Sequence, residues 1–223
     1  MAERLRLTPA EALQRLVPHI SQMQSDANGR RIAVGLAGGP GAGKSTLAAE
    51  LVNLLNVVRT GSAALVPMDG FHMRHAKLEA LQETHRKGAP HTFEGAAFVD
   101  FLHHLKSATG PVSGPGYSRE IEDVVDDAFT VAPEVGVLIV EGNYLLLPSP
   151  PWAGVRPLLD YAVYLDVPRD LVEARLLRRH AEHGLFTEER NRAHIARNDL
   201  PNYDLVATSA DRADVIFELA VER

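Results

Sequence analysis

Five short runs of apolar residues recur along the chain, and segments with helical periodicity separate them. Near-continuous apolar runs are typical of strands buried on both faces, as in a parallel sheet covered by helices. The alternation of strands and helices therefore predicts an α/β fold with a parallel five-stranded sheet and right-handed crossovers. The predicted strands are 31–37, 62–68, 136–140, 161–167 and 214–221, and the predicted helices include 44–56, 96–106 and 168–183.

Local signals define two further segments. Thr8, Pro9 and Glu11 form the pattern of a capping box with proline at the first helical position, which predicts a helix before the first strand. The segment 110–117 is rich in glycine and proline, so we expect a loop there rather than a regular element. Ligands of such folds bind beyond the carboxyl ends of the strands, and we expect this loop to lie near that site.

Length and charge limit the functional classes. The 223 residues fit one domain, and the net charge of −6 argues against a broad nucleic-acid or anionic-membrane surface. No apolar run approaches the roughly 18 residues of a membrane span, and the first residues lack the apolar core of a signal peptide. The absence of cysteine excludes disulfides and thiolate metal sites. We therefore expect a cytoplasmic protein.

A glycine-rich segment between the first strand and the next helix matches the phosphate-binding pattern G-x-x-x-x-G-K-[ST] in the context that this pattern requires. Inward-facing N–H groups and the helix N-terminus can hold the phosphates of ATP. Lys44 is expected to reach the β- and γ-phosphates, and Ser45 to bind Mg²⁺. The predicted nucleotide-binding residues of this segment are Gly38, Gly39, Pro40, Gly41, Ala42, Gly43, Lys44, Ser45 and Thr46.

Two acidic residues follow predicted strands. Asp69 comes directly after the second strand, where its carboxylate could accept the proton of an attacking hydroxyl group, although an Asp there can also simply begin a turn. Glu141 ends the third strand as in a Walker B element, and we expect it to bind Mg²⁺ or its water ligands. Because phosphate loops also serve GTPases, motors and transport ATPases, Asp69 is the residue that favours a kinase.

Arginines cluster after the fourth strand. Arg175, Arg178 and Arg179 share one helix face because their spacing is i, i+3 and i+4. A second arginine-bearing helix follows, and the glycine-containing segment 183–186 joins the two. We expect 171–197 to form a helical lid, in which Arg175 and Arg179 stabilise the transferred phosphoryl group and Arg178 binds ATP. A solvent-exposed charged face is the alternative for any single arginine.

Four histidines, His72, His75, His85 and His91, crowd the segment after Asp69. Without cysteine or a matching pattern of carboxylates, their spacing does not predict a zinc site. Hydrogen bonds to a substrate or ordinary surface positions are expected instead.

Taken together, these motifs resemble the phosphoribulokinase and uridine kinase family of P-loop kinases, which includes the bacterial-type pantothenate kinases. The resemblance extends over about residues 32–217. Within the family, the chain is most similar to proteins labelled fructose transport system kinases, through PMDGFHM, RKGAPHTFE and NDLPNYDLV. The other segments that carry the resemblance are the phosphate loop, Pro115-Gly-Tyr-Ser-Arg, Val140-Glu-Gly-Asn and the arginine-rich lid.

The resemblance implies roles for individual residues. Asp69 is implied to be the general base, and Arg86, Tyr117 and Arg119 to contact the acceptor. His72 stands where uridine kinases usually have an aromatic residue, so we expect it to bind the substrate, and recognition of a nucleobase is not favoured.

The residues and the resemblance predict an ATP- and Mg²⁺-dependent kinase that phosphorylates a hydroxyl group of a small metabolite, with a sugar such as fructose favoured. A nucleoside or pantothenate stays open as the acceptor. The alternative outside enzymes is a regulatory subunit of a transport system, which would bind ATP without catalysis. Asp69 and the arginine cluster favour an enzyme over such a subunit. No nucleic-acid or membrane partner is expected, and a homodimer is left open.

Overall fold

The computed structural model describes residues 2–183 and 187–220. Two strands form a separate antiparallel hairpin, and the other six form one parallel sheet. The strands are β1 (Glu3–Leu7), β2 (Ile32–Gly38), β3 (Ala63–Pro67), β4 (Val112–Ser118), β5 (Asp123–Val131), β6 (Val137–Gly142), β7 (Tyr161–Asp166) and β8 (Val215–Leu219). The order in the parallel sheet is β1-β8-β7-β2-β6-β3, and β4 pairs with β5.

Helices follow most of the strands of the sheet and cover both of its faces. They are α1 (Pro9–Asp26), α2 (Lys44–Val58), α3 (His75–Ala80), α4 (Gly95–Ser107), α5 (Arg169–His183), α6 (Glu188–His194) and α7 (Leu200–Ala207), with a π-helical turn (Ile195–Asp199) between the last two. The capping box of α1 is confirmed, since the Thr8 hydroxyl accepts from Glu11 N–H at 3.2 Å and the Glu11 carboxylate accepts from Thr8 N–H at 2.7 Å. No helix in these described ranges is both long and apolar enough to cross a bilayer.

The apolar runs of the sequence correspond to strands with two buried faces. On β2, Ile32, Val34 and Leu36 pack in one hydrophobic cluster with α1 and α2. Ala33 and Ala37 pack in the other cluster, with α4. This arrangement confirms the predicted parallel sheet between layers of helices.

The predicted number of strands was wrong, because β1 adds a sixth strand beside β8. Its sequence, ERLRL, alternates charged and apolar residues, and its side chains are exposed or half-buried. An edge strand with one covered face lacks the continuous apolar run that revealed the other five. Its Arg4 lies 3.7 Å from Glu218 on β8 and 3.4 Å from Asp166 on β7, the next strand in the sheet.

The predicted loop at 110–117 was also wrong, since most of it forms β4 of the hairpin. The register shifts between Gly114 and Gly116, so Pro115 lies at a bulge, where proline is tolerated. A Cβ atom on Gly114 would lie only 2.4 Å from the Phe129 ring. The glycine that suggested a loop is therefore required by close packing inside a strand.

Candidate active site

Three neighbouring strands bring the phosphate loop and two acidic residues to one edge of the sheet. Glu141 near the end of β6 is in register with Leu36 of β2 on one side and with Pro67 of β3 on the other. The phosphate loop follows β2, and Asp69 lies two residues beyond Pro67 in a short helical turn. Because carboxyl ends of parallel strands meet at one edge, residues far apart in sequence become neighbours here.

The phosphate loop has the backbone conformation that its glycines permit. Gly41 and Gly43 have φ values of 75° and 88°, in the left-handed region that favours glycine. Helix α2 begins at Lys44, directly after the loop, so its free N–H groups and partial positive charge face the loop. This geometry is suited to holding the phosphates of a nucleotide.

Lys44 is a nearly fully buried cation at the start of α2. Its ammonium group donates to the Gly39 carbonyl at 2.9 Å and to Asn143 Oδ1 at 2.7 Å. Burial lowers the pKa of Lys44, while the negative charges of Glu141 and Asp69 oppose that shift. A buried ammonium group near two negative charges can contact a phosphate without first losing a full shell of water.

Glu141 is also buried, with 5% of its surface exposed. Burial and the nearby charge of Asp69 raise the pKa of Glu141 to about 7, although Lys44 and a hydrogen bond from Ser45 lower it. The Ser45 hydroxyl donates to Glu141 Oε2 at 3.2 Å. A hydroxyl and a carboxylate side by side are the hard oxygen ligands that Mg²⁺ prefers, so these residues fit the predicted metal site.

One cavity of about 1230 Å³ lies over the phosphate loop and contains most of the predicted site. Its walls come from the carboxyl edge of the sheet, the β4–β5 hairpin and helices α5 and α6. The structure brings these predicted residues together at the cavity wall: Pro40, Gly41, Ala42, Gly43, Lys44, Ser45, Thr46, Asp69, His72, Tyr117, Arg119, Glu141, Arg175, Arg178 and Arg179.

Aromatic rings form the wall beyond Asp69. The ring of His72 lies 3.9 Å from that of Phe93 and 4.6 Å from that of Tyr117, measured between centroids. His72 Nδ1 donates to the Asp69 carbonyl at 2.7 Å, and burial lowers the pKa of His72, which favours the neutral imidazole. Burial likewise raises the pKa of Tyr117. The Lys87 ammonium group lies 5.1 Å from the centre of the Tyr117 ring.

Three arginines of α5, Arg175, Arg178 and Arg179, line the cavity over the phosphate loop. Arg175 donates to the Gly41 carbonyl at 3.3 Å. Burial, and then the positive charge of Arg119, lower the pKa of Arg179. These guanidinium groups line the same cavity as the phosphate loop, and their role in stabilising a transferred phosphoryl group stays a prediction.

Arg86 lies apart from the other predicted acceptor residues. Its guanidinium donates to the Arg197 carbonyl at 3.1 Å and to Asn198 Oδ1 at 3.2 Å, and it is not among the residues that line the cavity. Its contacts join the segment after α3 to the helical region that follows α6. A role for Arg86 in substrate binding stays a prediction.

Sequence reasoning missed Asn143 and Lys87 as residues of the site. Asn143 follows Glu141 by two residues and binds Lys44, so its place just beyond a strand end was the available signal. Lys87 lines the cavity and donates to the Glu122 carbonyl of the hairpin turn. Residues 184–186 of the predicted joint at 183–186 lie outside the described residues, and the lid function of 171–197 stays a prediction.

Comparisons with known proteins identify relatives of this chain. Residues 33–223 match the sequence profile of the phosphoribulokinase/uridine kinase family. A Schizosaccharomyces pombe protein provisionally named a uridine kinase is 36% identical over 197 residues, covering 85% of this chain and 83% of its own length. A Latilactobacillus sakei pantothenate kinase is 31% identical over 189 residues, covering 84% of this chain and 58% of its own length.

A solved structure shares the fold of this chain. The crystal structure of a provisionally named fructose transport system kinase from Silicibacter sp. TM1040 superposes with a TM-score of 0.83 at 34% identity. That match covers 95% of this chain and 100% of the other. The chain therefore has the α/β P-loop kinase fold and belongs to the phosphoribulokinase/uridine kinase family of ATP-binding kinases.

Proposed function

We propose that this protein transfers the γ-phosphoryl group of Mg·ATP to a hydroxyl group of a small, polar, sugar-like metabolite. The observation that carries this proposal is one cavity that contains a phosphate loop, an acidic pair and a set of arginines. Phosphoryl transfer needs little covalent chemistry from the protein, so positioning and charge stabilisation supply most of the catalysis.

The phosphate end of the cavity supplies positive charge and a metal site. Lys44 and the N–H groups of the loop would hold the phosphates, and Arg175 and Arg179 would stabilise charge on the transferred group. Ser45 and Glu141 are the residues that would hold Mg²⁺, which supplies positive charge to the phosphate oxygens when bound.

Asp69 is the residue proposed to act on the acceptor. It lines the same cavity as Lys44 and Glu141, and its charge shifts the pKa of both. A carboxylate in the same cavity as the phosphate loop can orient an acceptor hydroxyl in line with the γ-phosphorus and take its proton. A protein that only binds nucleotide would need no base there.

The aromatic wall favours a polar acceptor over a nucleobase. His72 itself lies against Phe93 and Tyr117, so a face of each ring is already covered by a side chain. Because His72 Nδ1 donates to the Asp69 carbonyl, its Nε2 atom is left as a hydrogen-bond acceptor in the neutral form. Together with Arg119, this nitrogen suits the hydroxyl groups of a sugar-like molecule.

The names of relatives support the reaction but differ in the acceptor. Those reported above are named for uridine, pantothenate and fructose transport. The compounds in these names are all small molecules with hydroxyl groups. The ring geometry around His72 is the reason to prefer a sugar among them.

The test is a screen of ATP consumption over sugars, phosphosugars, nucleosides and pantothenate, with a Lys44→Ala variant to subtract contaminating ATPase activity. We expect a sugar or sugar-like polyol to give the highest kcat/KM. A nucleoside or pantothenate with the highest value would overturn the proposed acceptor class. No acceptor-dependent consumption with any compound would favour the regulatory-subunit alternative.

A further inference from the structure

The wall of the cavity formed by α5 and α6 contains a cluster that phosphoryl transfer does not require. His180 on α5, His194 on α6 and Asp199 at the end of the π-helical turn each offer one possible metal-ligand atom. These three atoms lie within 4.8 Å of one another, and the three residues line the cavity. None of the histidines in the segment after Asp69 belongs to this cluster.

Two atoms of the cluster are buried without a hydrogen bond to any described residue, namely His180 Nε2 and Asp199 Oδ2. They face each other at 3.4 Å, and only 15% of the Asp199 side chain is exposed. Buried polar atoms normally have a hydrogen-bond or metal partner, so we expect these two atoms to bind one. Ligands that bind zinc tetrahedrally at about 2.0–2.1 Å lie about 3.4 Å apart, which matches the observed separation.

His194 can complete the set. Its ring centre lies 5.5 Å from that of His180, and Asn198 Nδ2 donates to His194 Nδ1 over a long 3.3 Å. An amide nitrogen can only donate, so His194 presents an unprotonated nitrogen, which is the form of imidazole that binds metal ions. A metal bond at Nδ1 would replace this weak hydrogen bond.

We propose that His180, His194 and Asp199 bind one divalent transition-metal ion of the zinc type. Two imidazole nitrogens and one carboxylate oxygen suit zinc, nickel or copper, whereas Mg²⁺ prefers oxygen ligands alone. This site is distinct from the Ser45–Glu141 pair proposed for Mg²⁺. Three protein ligands leave a fourth position for water or an oxygen of a bound ligand.

The ion would join α5 to the helical segment 194–199. Both segments carry cavity-lining residues, so a metal bond between them would hold this wall of the cavity in one arrangement. The proposal concerns a binding site and does not depend on which acceptor the kinase uses.

The first test is calorimetric titration of the full-length, chelator-treated protein with ZnCl₂ in buffer containing excess Mg²⁺. We expect one tightly bound zinc ion per chain. His194→Ala should lower the zinc affinity by at least about tenfold, because it removes a direct ligand. His103→Ala, an exposed histidine on α4, is the matched control and should leave the affinity unchanged. Equal affinity in both variants, or displacement of zinc by Mg²⁺, would overturn the site.

A second measurement separates loss of a ligand from loss of the fold. His194 is exposed, so His194→Ala should keep the wild-type circular dichroism spectrum. At equal zinc concentration, zinc should raise the Tm of the wild type and of His103→Ala more than that of His194→Ala. The same zinc-dependent rise in Tm for all three proteins would place the ion elsewhere and contradict the proposal.

Discussion

Lys44 and Glu141 carry opposite charges although each is almost fully buried. With 7% and 5% of their surfaces exposed, neither has enough water around it to stabilise its charge alone. Burial shifts the pKa of each towards its neutral form, and the charge of the other opposes that shift. Each residue therefore stabilises the charged form of the other. Changing one of them should alter the protonation of its partner.

Lys44→Ala should nearly abolish turnover and leave the fold intact. The substitution removes the cation that binds the phosphates, and Glu141 can take up a proton in its place. Steady-state ATP consumption and circular dichroism measure the two effects. Lys77→Ala is the control, because Lys77 is an exposed lysine paired with Glu94. Normal turnover in the Lys44 variant with a saturating acceptor would contradict the phosphate-binding role.

Glu141→Gln should flatten the pH dependence of stability in Mg²⁺-free buffer. The folded-state pKa of Glu141 is raised from 4.5 to about 7, so its protonated form stabilises the folded state. That contribution is fully present below about pH 4.5 and is lost as the pH rises through about 7. Denaturant unfolding at several pH values between these limits measures the slope. A variant with the wild-type slope would show that Glu141 is not the titrating group.

For single residues, the sequence predicted the charged side chains of the site but not the neighbouring residues that bind them. Lys44, Asp69 and Glu141 follow from a motif or from a strand end. Asn143 binds the Lys44 ammonium group, yet an asparagine after a strand is equally typical of a turn. Only the three-dimensional arrangement distinguishes the two.

The β4–β5 hairpin packs against the turn that carries Asp69. A Cβ atom on Gly70 would lie 1.9 Å from the Pro115 carbonyl oxygen, so the two segments are in direct backbone contact. Sequence patterns indicated a loop because glycine and proline usually interrupt strands. Here the same residues allow β4 to approach the turn, which places Tyr117 at the cavity wall.

Gly70→Ala should therefore disturb the acceptor side of the site. We expect a loss of stability of about 1–3 kcal/mol from overpacking, together with a raised KM for the acceptor, because β4 must move away from the turn. Gly110→Ala is the matched control, since nothing lies within 4 Å of a Cβ atom there. Denaturant unfolding and acceptor kinetics test both variants, and equal behaviour of the two would contradict this packing.

The helices around the cavity should respond to nucleotide. Arg175 and Arg179 line the cavity, and phosphate charge would offset the cost of burying their guanidinium groups. We expect Mg·ATP or a non-hydrolysable analogue to slow hydrogen exchange across 171–197. Exchange in α4, none of whose residues lines the cavity, serves as the internal reference. Unchanged exchange in 171–197 would contradict the lid assignment.

Across the whole molecule, the sheet order explains why the site lies where it does. Adjacent strands β2, β6 and β3 deliver the phosphate loop, Glu141 and Asp69 to one edge. Strand alternation was enough to predict this parallel sheet. The sixth strand could not be predicted from it, because β1 pairs with β8 at the edge of the sheet and carries alternating charges. Acceptor identity was beyond sequence patterns, since relatives of this chain are named for different compounds.

The central claim is that this cavity phosphorylates an acceptor rather than only binding ATP, and Asp69→Asn tests it most directly. The substitution keeps the size of the side chain but removes its charge and most of its basicity. Acceptor-dependent ATP consumption by the full chain should fall about 10²- to 10⁴-fold in kcat, while ATP affinity barely changes. We expect a fall in kcat near the lower end of this range, because the acceptor hydroxyl keeps its proton until late in a loose transition state. An Asn variant with unchanged kcat and KM would contradict the account and leave Asp69 as part of a turn.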